Sequence, residues 1–274
     1  MDVNMIIKKG YIVHGHGPVI VLLHSSMSSK EQWKPLIKLL HPRFRLIAID
    51  LSGYGDNELP QSPQTFSTDD EISLIDGILK KETSDDEPFH LVGHSYGGAI
   101  ALKFTLKRLA RVRTLTLFEP VAFHLLPPGG PAHNEIRTVV KRLTRAMDGK
   151  DKTSATQIFI DYWSGHGTFE QLNSGNQITF IQYIDKVMLD FQALFNESST
   201  LKDYSTIWLP ICMIKGEQSP LSSLQIFAIL EQHLPHHSIH SVPGGHMSPL
   251  THVNKVNKII ENFLVSYSSK QAVI

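Results

Sequence analysis

The stretch Phe89-His90-Leu91-Val92-Gly93-His94-Ser95-Tyr96-Gly97-Gly98 constrains this chain more than any other. A β-type apolar run leads into Gly-x-Ser-x-Gly, and Ala99-Ile100-Ala101-Leu102-Lys103-Phe104 follows with helical spacing. A serine between strand and helix at this spacing sits on a sharp turn that lifts its hydroxyl out of the sheet edge. Gly93 and Gly97 suit that turn because a Cβ there would crowd strand against helix. The pattern predicts a nucleophilic serine, Ser95, at the end of a parallel strand.

The rest of the chain supplies the sheet. Val19–Leu23, Arg45–Ile49, Thr114–Phe118 and Ile211–Ile214 are continuous apolar runs like Phe89–Val92. Runs apolar on both faces suit parallel strands covered by helices on both sides. Helical patterns separate them over Glu31–Leu40, Thr68–Lys81 and Ala99–Leu109, with Thr68 and Glu71 read as a capping box. The fold class is therefore α/β, with a mostly parallel sheet flanked by helices. After Glu119-Pro120 the strands stop. Helical segments dominate (Ile136–Met147, Thr153–Trp163, Ile178–Phe195) until the alternation resumes near Pro210. A helix at Leu221–His233, a strand at Ser238–Val242 and a helix at Val253–Tyr267 close the chain, and a tail from Ser268 is expected to fray. The expected division is a core over 1–120 and 206–274, with a helical cap over 121–205.

Composition excludes several function classes. The 26 Lys and Arg balance the 26 Asp and Glu, which argues against a nucleic acid or anionic membrane as partner. No segment approaches the roughly 20 apolar residues of a membrane span. The N-terminal sequence lacks the apolar region of a signal peptide, so a cytoplasmic location is expected. Cys212 is the single cysteine and lies in an apolar run, as a buried strand thiol would. Fifteen histidines include His233, His236 and His237, but no zinc-type spacing, so neither a metal nor another cofactor is expected. The partner expected is a small-molecule substrate; oligomeric state is left open.

Four elements complete a candidate site. His246, in Pro243-Gly244-Gly245-His246, follows the last strand, where the base that activates Ser95 belongs. The loop His24-Ser25-Ser26-Met27 follows the first strong strand. An oxyanion hole takes one backbone N–H from such a loop and one from the residue after the nucleophile, here Ser26 (or Ser25) and Tyr96. Asp50-Leu51-Ser52-Gly53-Tyr54-Gly55-Asp56 ends the next strand, with Asp50 read as structural. The fourth element is an acid for His246. Glu217 lies on the loop after Ile211–Ile214, and Glu119 ends an otherwise apolar strand, where a carboxylate is costly without a partner.

His24-Ser25-Ser26, Asp50-Leu51-Ser52-Gly53-Tyr54-Gly55, Gly93-His94-Ser95-Tyr96-Gly97-Gly98 and Gly245-His246, in this order, resemble the α/β-hydrolase superfamily. The resemblance covers nearly the whole chain, with 121–205 in the position of the variable cap. It implies acyl transfer through Ser95 and His246. Most members carry a Gly-x-x-Asp acid where this chain reads Gly216-Glu217-Gln218-Ser219, and a serine cannot stabilise an imidazolium as a carboxylate does. The position of Glu119 resembles the arrangement of haloalkane-dehalogenase-like members, whose acid lies one strand earlier but whose nucleophile is aspartate. Glu119 is therefore the expected acid and Glu217 the alternative. The activity implied is hydrolysis of a small or medium apolar carboxylic ester, or of a carbon–carbon bond next to a carbonyl. A non-hydrolysing binding protein on the same fold and a haloperoxidase or perhydrolase-like activity are the alternatives.

Overall fold

The computed structural model describes residues 5–268. Eight strands form one sheet: β1 (Ile6–Lys8), β2 (Tyr11–His14), β3 (Val19–Leu23), β4 (Arg45–Ile49), β5 (Phe89–His94), β6 (Val112–Phe118), β7 (Ile211–Gly216) and β8 (His237–Val242). Their spatial order is β1-β2-β4-β3-β5-β6-β7-β8. β3 to β8 are parallel where they pair, and β1 and β2 add an antiparallel edge. Those two edge strands have no counterpart in the sequence reading. β1 lies at the edge with Ile6 and Ile7 exposed, and β2, though buried at Tyr11, Ile12 and Val13, has an apolar run of only three residues. The β3 residues are all fully buried, as strands covered on both faces require.

The helices are α1 (Lys34–Leu40), α2 (Thr68–Glu82), α3 (Tyr96–Lys107), α4 (Pro131–Asp148), α5 (Lys152–Ser164), α6 (Thr168–Gln171), α7 (Ser174–Phe195), α8 (Leu201–Tyr204), α9 (Leu221–His233), α10 (Ser248–Thr251) and α11 (Val253–Ser268). The five helices from α4 to α8 all fall between β6 and β7, so a helical insertion interrupts the sheet there. The short helices α6 and α8 were not foreseen. Nor was the 3-10 turn Lys30–Trp33, which replaces the first part of the expected helix 31–40. α11 runs through Ser268, so the expected frayed tail loses its first residue to the helix and otherwise lies outside the described residues.

The capping box of α2 sits one residue earlier than the sequence suggested. Ser67 is the N-cap, and its backbone N–H and Oγ both donate to Asp70. Thr68 is instead inside the helix, and its hydroxyl donates to Glu197. Glu71 is freed from capping and faces the interior, fully buried.

Parallel register brings one end of the sheet together. His94 pairs with Phe118 and Phe118 with Ile214, so Ser95, Glu119 and the β7 terminus lie at the same level. β4 lies on one side of β3 and β5 on the other, which makes the carboxyl ends of β3 and β5 the point where the chain changes direction across the sheet. Crevices at such points are where α/β sheets hold ligands.

Candidate active site

Ser95 follows β5 with φ 57° and ψ −117°, a backbone that non-glycine residues seldom adopt. Two close approaches enforce it. A Cβ on Gly93 would lie 2.4 Å from the Gly97 carbonyl oxygen, and one on Gly97 would lie 2.4 Å from that of His24. The Ser95 N–H donates to Phe118 O at 2.9 Å, which ties the turn to β6. The strain is of the kind that concentrates at functional sites.

His246 stands between Ser95 and Glu119. Its Nε2 is 2.8 Å from Ser95 Oγ and its Nδ1 is 2.7 Å from Glu119 Oε2. All three residues are buried, Ser95 the most exposed at 6%. Glu119 also has positive φ, 43°. Its carboxylate accepts from the Gly216 N–H at 2.6 Å, Ser219 Oγ at 2.6 Å and Ser223 Oγ at 2.8 Å. Burial pushes this carboxyl up, but the hydrogen bonds and charge of His246, with the bonds from Ser219 and Gly216, hold it below the usual glutamate range. Glu217 is exposed on its loop and takes no part in this chain. Ser223, on the first turn of α9, was not foreseen. Only its spacing from Ser219 across the helix start could have pointed to it.

A second polar chain fixes the loops. Gln32 Oε1 accepts from the Ser25 N–H at 3.2 Å and from Ser25 Oγ at 3.1 Å. Gln32 Nε2 is 3.2 Å from His94 Nδ1, and His94 Nε2 lies 2.9 Å from the His246 carbonyl oxygen. Donation by Nε2–H to that carbonyl and acceptance at Nδ1 satisfy a neutral His94. Burial and the neighbouring His246 hold its pKa well below the ordinary value. Because the Ser25 N–H is taken by Gln32, Ser26 is the loop residue left to offer one. Among the described residues no hydrogen bond occupies the N–H of Ser26 or of Tyr96. Asp50 is buried, accepts from Lys30 and from the Asp56 N–H, and braces its own loop. His24 Nε2 accepts from the Leu51 N–H at 2.9 Å. Burial lowers its pKa to about 4, so it is a neutral brace.

Helices of the insertion roof Ser95. The Trp163 ring lies against the His246 ring at 4.0 Å. A narrow apolar pocket opens at Ser95 and Ser26, walled by Val121, Phe123, Phe191 and Leu194. A wider cleft of about 1220 Å³ reaches from there toward Tyr183, Glu135, Asp161 and Leu250. No lysine or arginine lines either space among the described residues. Cys212 is free and buried in β7. Among the described residues, no group of three or more His, Cys, Asp and Glu side chains is placed to hold a metal ion, and no helix is long and apolar enough to cross a membrane.

Residues 18–253 match the family model described as the alpha/beta hydrolase fold. The chain belongs to the α/β-hydrolase fold family. It is 33% identical over 110 residues to a haloalkane dehalogenase of Agrobacterium fabrum, a stretch covering 40% of this chain and 35% of that protein. The match to an epoxide hydrolase of Siraitia grosvenorii, 36% over 102 residues, likewise spans only about a third (32%) of the relative. A putative 2-succinyl-6-hydroxy-2,4-cyclohexadiene-1-carboxylate synthase of Bacillus subtilis is 26% identical over 288 aligned positions, covering 96% of this chain and 98% of that one. The crystal structure of an enol-lactonase from Burkholderia xenovorans shares the fold with TM-score 0.76 at 18% identity, over 93% of this chain and 95% of the other. The chain thus spans about a third of the length of the dehalogenase and epoxide hydrolase relatives that it matches.

Proposed function

We propose that this α/β hydrolase is a serine hydrolase that transfers an acyl group from a small or medium, uncharged carboxylic ester to water, or cleaves an equivalent bond next to a carbonyl. The observation that carries the reading is the continuous hydrogen-bonded chain Ser95 Oγ–His246–Glu119. In it His246 Nδ1–H donates to Glu119, which leaves Nε2 to accept the Ser95 proton. Ser95 Oγ attacks the ester carbonyl as that proton moves to Nε2. The carbonyl oxygen becomes an oxyanion and accepts from the Ser26 and Tyr96 N–H groups. His246 Nε2–H then protonates the leaving alcohol, and the acyl group stays on Ser95. A water, deprotonated by the same Nε2, attacks the acyl-enzyme, and the acid product leaves with Ser95 reprotonated. Glu119, held ionised, faces the imidazolium formed in both halves of the cycle.

Shape and charge narrow the substrate. The space walled by Val121, Phe123, Phe191 and Leu194 is only about 10 Å³, so it suits no more than the end of a short acyl chain, and the wider cleft suits the rest of the substrate. Among the described residues the cleft walls carry Glu31, Glu135 and Asp161 and no lysine or arginine to receive an anion, while Asp190 is ion-paired with Lys186. The Bacillus relative is named for a product that is a carboxylate. The cleft of this chain has, among the described residues, no lysine or arginine on its walls to receive such a group. Residues 121–205 act in this reading as a cap over the core formed by 1–120 and 206–274.

A fluorophosphonate probe tests the reading. The wild-type protein should become labelled at Ser95 and lose its activity on p-nitrophenyl butyrate. Ser95→Ala should not label, and its kcat should fall on the order of 10⁶-fold. Absence of labelling in the folded wild-type protein would favour a binding protein on this fold instead.

A further inference from the structure

α7 carries two charged residues one turn apart on an otherwise apolar face, Lys186 and Asp190, and both are buried. Lys186 Nζ donates to Asp190 Oδ1 and, at 3.1 Å, to Glu71 Oε1 of α2. The rings of Tyr54, Phe66 and Tyr96 surround the ammonium at 4.9, 4.6 and 4.5 Å. Two branches leave this centre. Along one, Ser26 Oγ donates to Asp190 Oδ2 at 2.5 Å, as does Tyr54 OH at 2.5 Å. Along the other, Tyr96 OH donates to Glu71 Oε1 at 3.1 Å, and Ser52 holds Glu71 Oε2 through its N–H and Oγ, both at 3.0 Å. The side chains of Ser26 and Tyr96 thus end, by separate routes, on one cation carried by the helical insertion.

Stability does not account for such a centre. Taking an ammonium and two carboxylates out of water costs several kcal/mol per ion, and apolar side chains of similar volume would fill the space as well. A fully satisfied buried network does supply direction: it holds each member in one geometry. Ser26 precedes Met27, a non-glycine residue with φ 55°, so its loop is not in a relaxed backbone state and needs a tether.

We propose that Lys186, with Asp190 and Glu71, is a positioning centre through which the helical insertion sets the two oxyanion donors, the N–H groups of Ser26 and Tyr96. The proposal rests on the acyl-transfer reading. It makes Lys186 and Asp190 positioning residues that touch neither substrate carbonyl nor proton. The insertion then governs turnover as well as substrate choice, because loss of the tether leaves Ser95, His246 and Glu119 in place but misdirects the hole.

The test compares wild type, Asp190→Asn, Ser26→Ala, Tyr96→Phe and the charge-balanced Lys186→Met/Asp190→Asn on p-nitrophenyl butyrate, with unfolding temperatures measured alongside. In Asp190→Asn, kcat should fall on the order of 10- to 100-fold, because misplacement by a fraction of an ångström to an ångström weakens the hole. KM should change by less than about threefold. Affinity for a trifluoromethyl ketone, whose serine adduct places an oxyanion in the hole, should fall in step with kcat/KM; a purely structural role would not link the two. Ser26→Ala and Tyr96→Phe should each lower kcat in the wild-type background and add nothing in Lys186→Met/Asp190→Asn. Should that double variant not fold, Ser26→Ala combined with Asp190→Asn replaces it, and again no added loss is expected. Folded variants with wild-type kcat and ketone affinity, or losses that add in full, would overturn the proposal. A wild-type protein that fluorophosphonate does not label would overturn the acyl-transfer reading instead.

Discussion

Ser219 Oγ donates to Glu119 Oε1 at 2.6 Å. The α/β-hydrolase resemblance puts the usual acid at this position, and here its hydroxyl donates to the carboxylate that ends the neighbouring strand. Register explains the exchange: Phe118 at the end of β6 pairs with Ile214 of β7, so the residues just beyond these strand ends converge on one point. Three donors (Ser219, Ser223 and the Gly216 N–H) then hold Glu119 with its Oε2 toward His246.

That geometry predicts a swap. Glu119→Gln should lower kcat about 10⁴-fold, as loss of the imidazolium's carboxylate does in serine triads. Ser219→Asp alone should also lower activity, because two carboxylates within hydrogen-bond distance resist joint ionisation. Combined, Glu119→Gln/Ser219→Asp should regain roughly tenfold or more over Glu119→Gln, since a carboxylate again stands beside His246. Steady-state kinetics on one neutral ester measures all three. A double variant no better than Glu119→Gln would show that residue 219 cannot reach His246.

The sequence made the site legible where local patterns carry it. The elbow at Ser95, the loop at Ser26 and the position of His246 follow from strand and helix punctuation, whereas Glu119 was preferred to Glu217 as the proposed acid because it ends an apolar strand and because its position resembles that of haloalkane-dehalogenase-like members. Non-local partners were not legible in the same way. Ser219 read as a lost acid, because its partner lies on another strand. Lys186 and Asp190 give a faint signal, a charged pair on an apolar helix face, but nothing local connects them to Tyr96 or Ser26. The capping box of α2 slipped by one residue because Ser67 and Thr68 are both good caps, and burial of Glu71 decided between them. β1 has no sequence signal because its edge is exposed, and β2 has a weak one because its buried apolar run, Tyr11–Val13, is only three residues long.

Acid stability should depend on Glu197, just beyond α7. Its carboxylate accepts from Lys103 Nζ on α3 at 2.6 Å and from Thr68 on α2 at 2.5 Å, joining the insertion to the core. Burial pushes this carboxyl up, but the bonds from Lys103, Thr68 and Ser199 outweigh it and bring the pKa down to about 2. A depressed pKa stabilises the fold above the unfolded value near 4.5, and that contribution disappears as pH falls from there toward 2. Urea unfolding should show Glu197→Gln less stable than wild type by on the order of 2–3 kcal/mol at pH 7, with the gap closing by about pH 2. A gap independent of pH would mean that the loss comes from packing.

The absence of a lysine or arginine on the cleft walls, among the described residues, predicts a preference between esters whose acyl chains have the same number of carbons. p-Nitrophenyl butyrate and the p-nitrophenyl monoester of succinic acid differ in a terminal carboxylate. With no lysine or arginine lining the pocket to receive it, the anionic ester should show kcat/KM lower by on the order of 100-fold, the equivalent of about 3 kcal/mol. Most of that penalty is desolvation of the added charge, so raising the salt concentration should recover little of it. Comparable rates for the two esters would remove the argument for an uncharged substrate.

The acyl-chain limit should move with one side chain. Leu194, buried at 3% exposure near the end of α7, walls the narrow pocket at Ser95 opposite Val121 and Phe123. It makes none of the hydrogen bonds that hold Ser26, His246 or Glu119, so its truncation leaves the polar machinery intact. Leu194→Ala should cost about 2–4 kcal/mol in unfolding free energy, the sum of lost apolar burial and the cavity left behind. The same cavity lengthens the pocket. Against p-nitrophenyl esters of rising acyl length, the optimum in kcat/KM should therefore shift by roughly two carbons toward longer chains, each added methylene gaining about 0.8 kcal/mol of burial. Acetate turnover should fall, because the short chain no longer fills the space that holds its carbonyl against the Ser26 and Tyr96 N–H groups. An unchanged optimum in a folded, destabilised variant would place the acyl chain in the wider cleft and the alcohol in the narrow pocket.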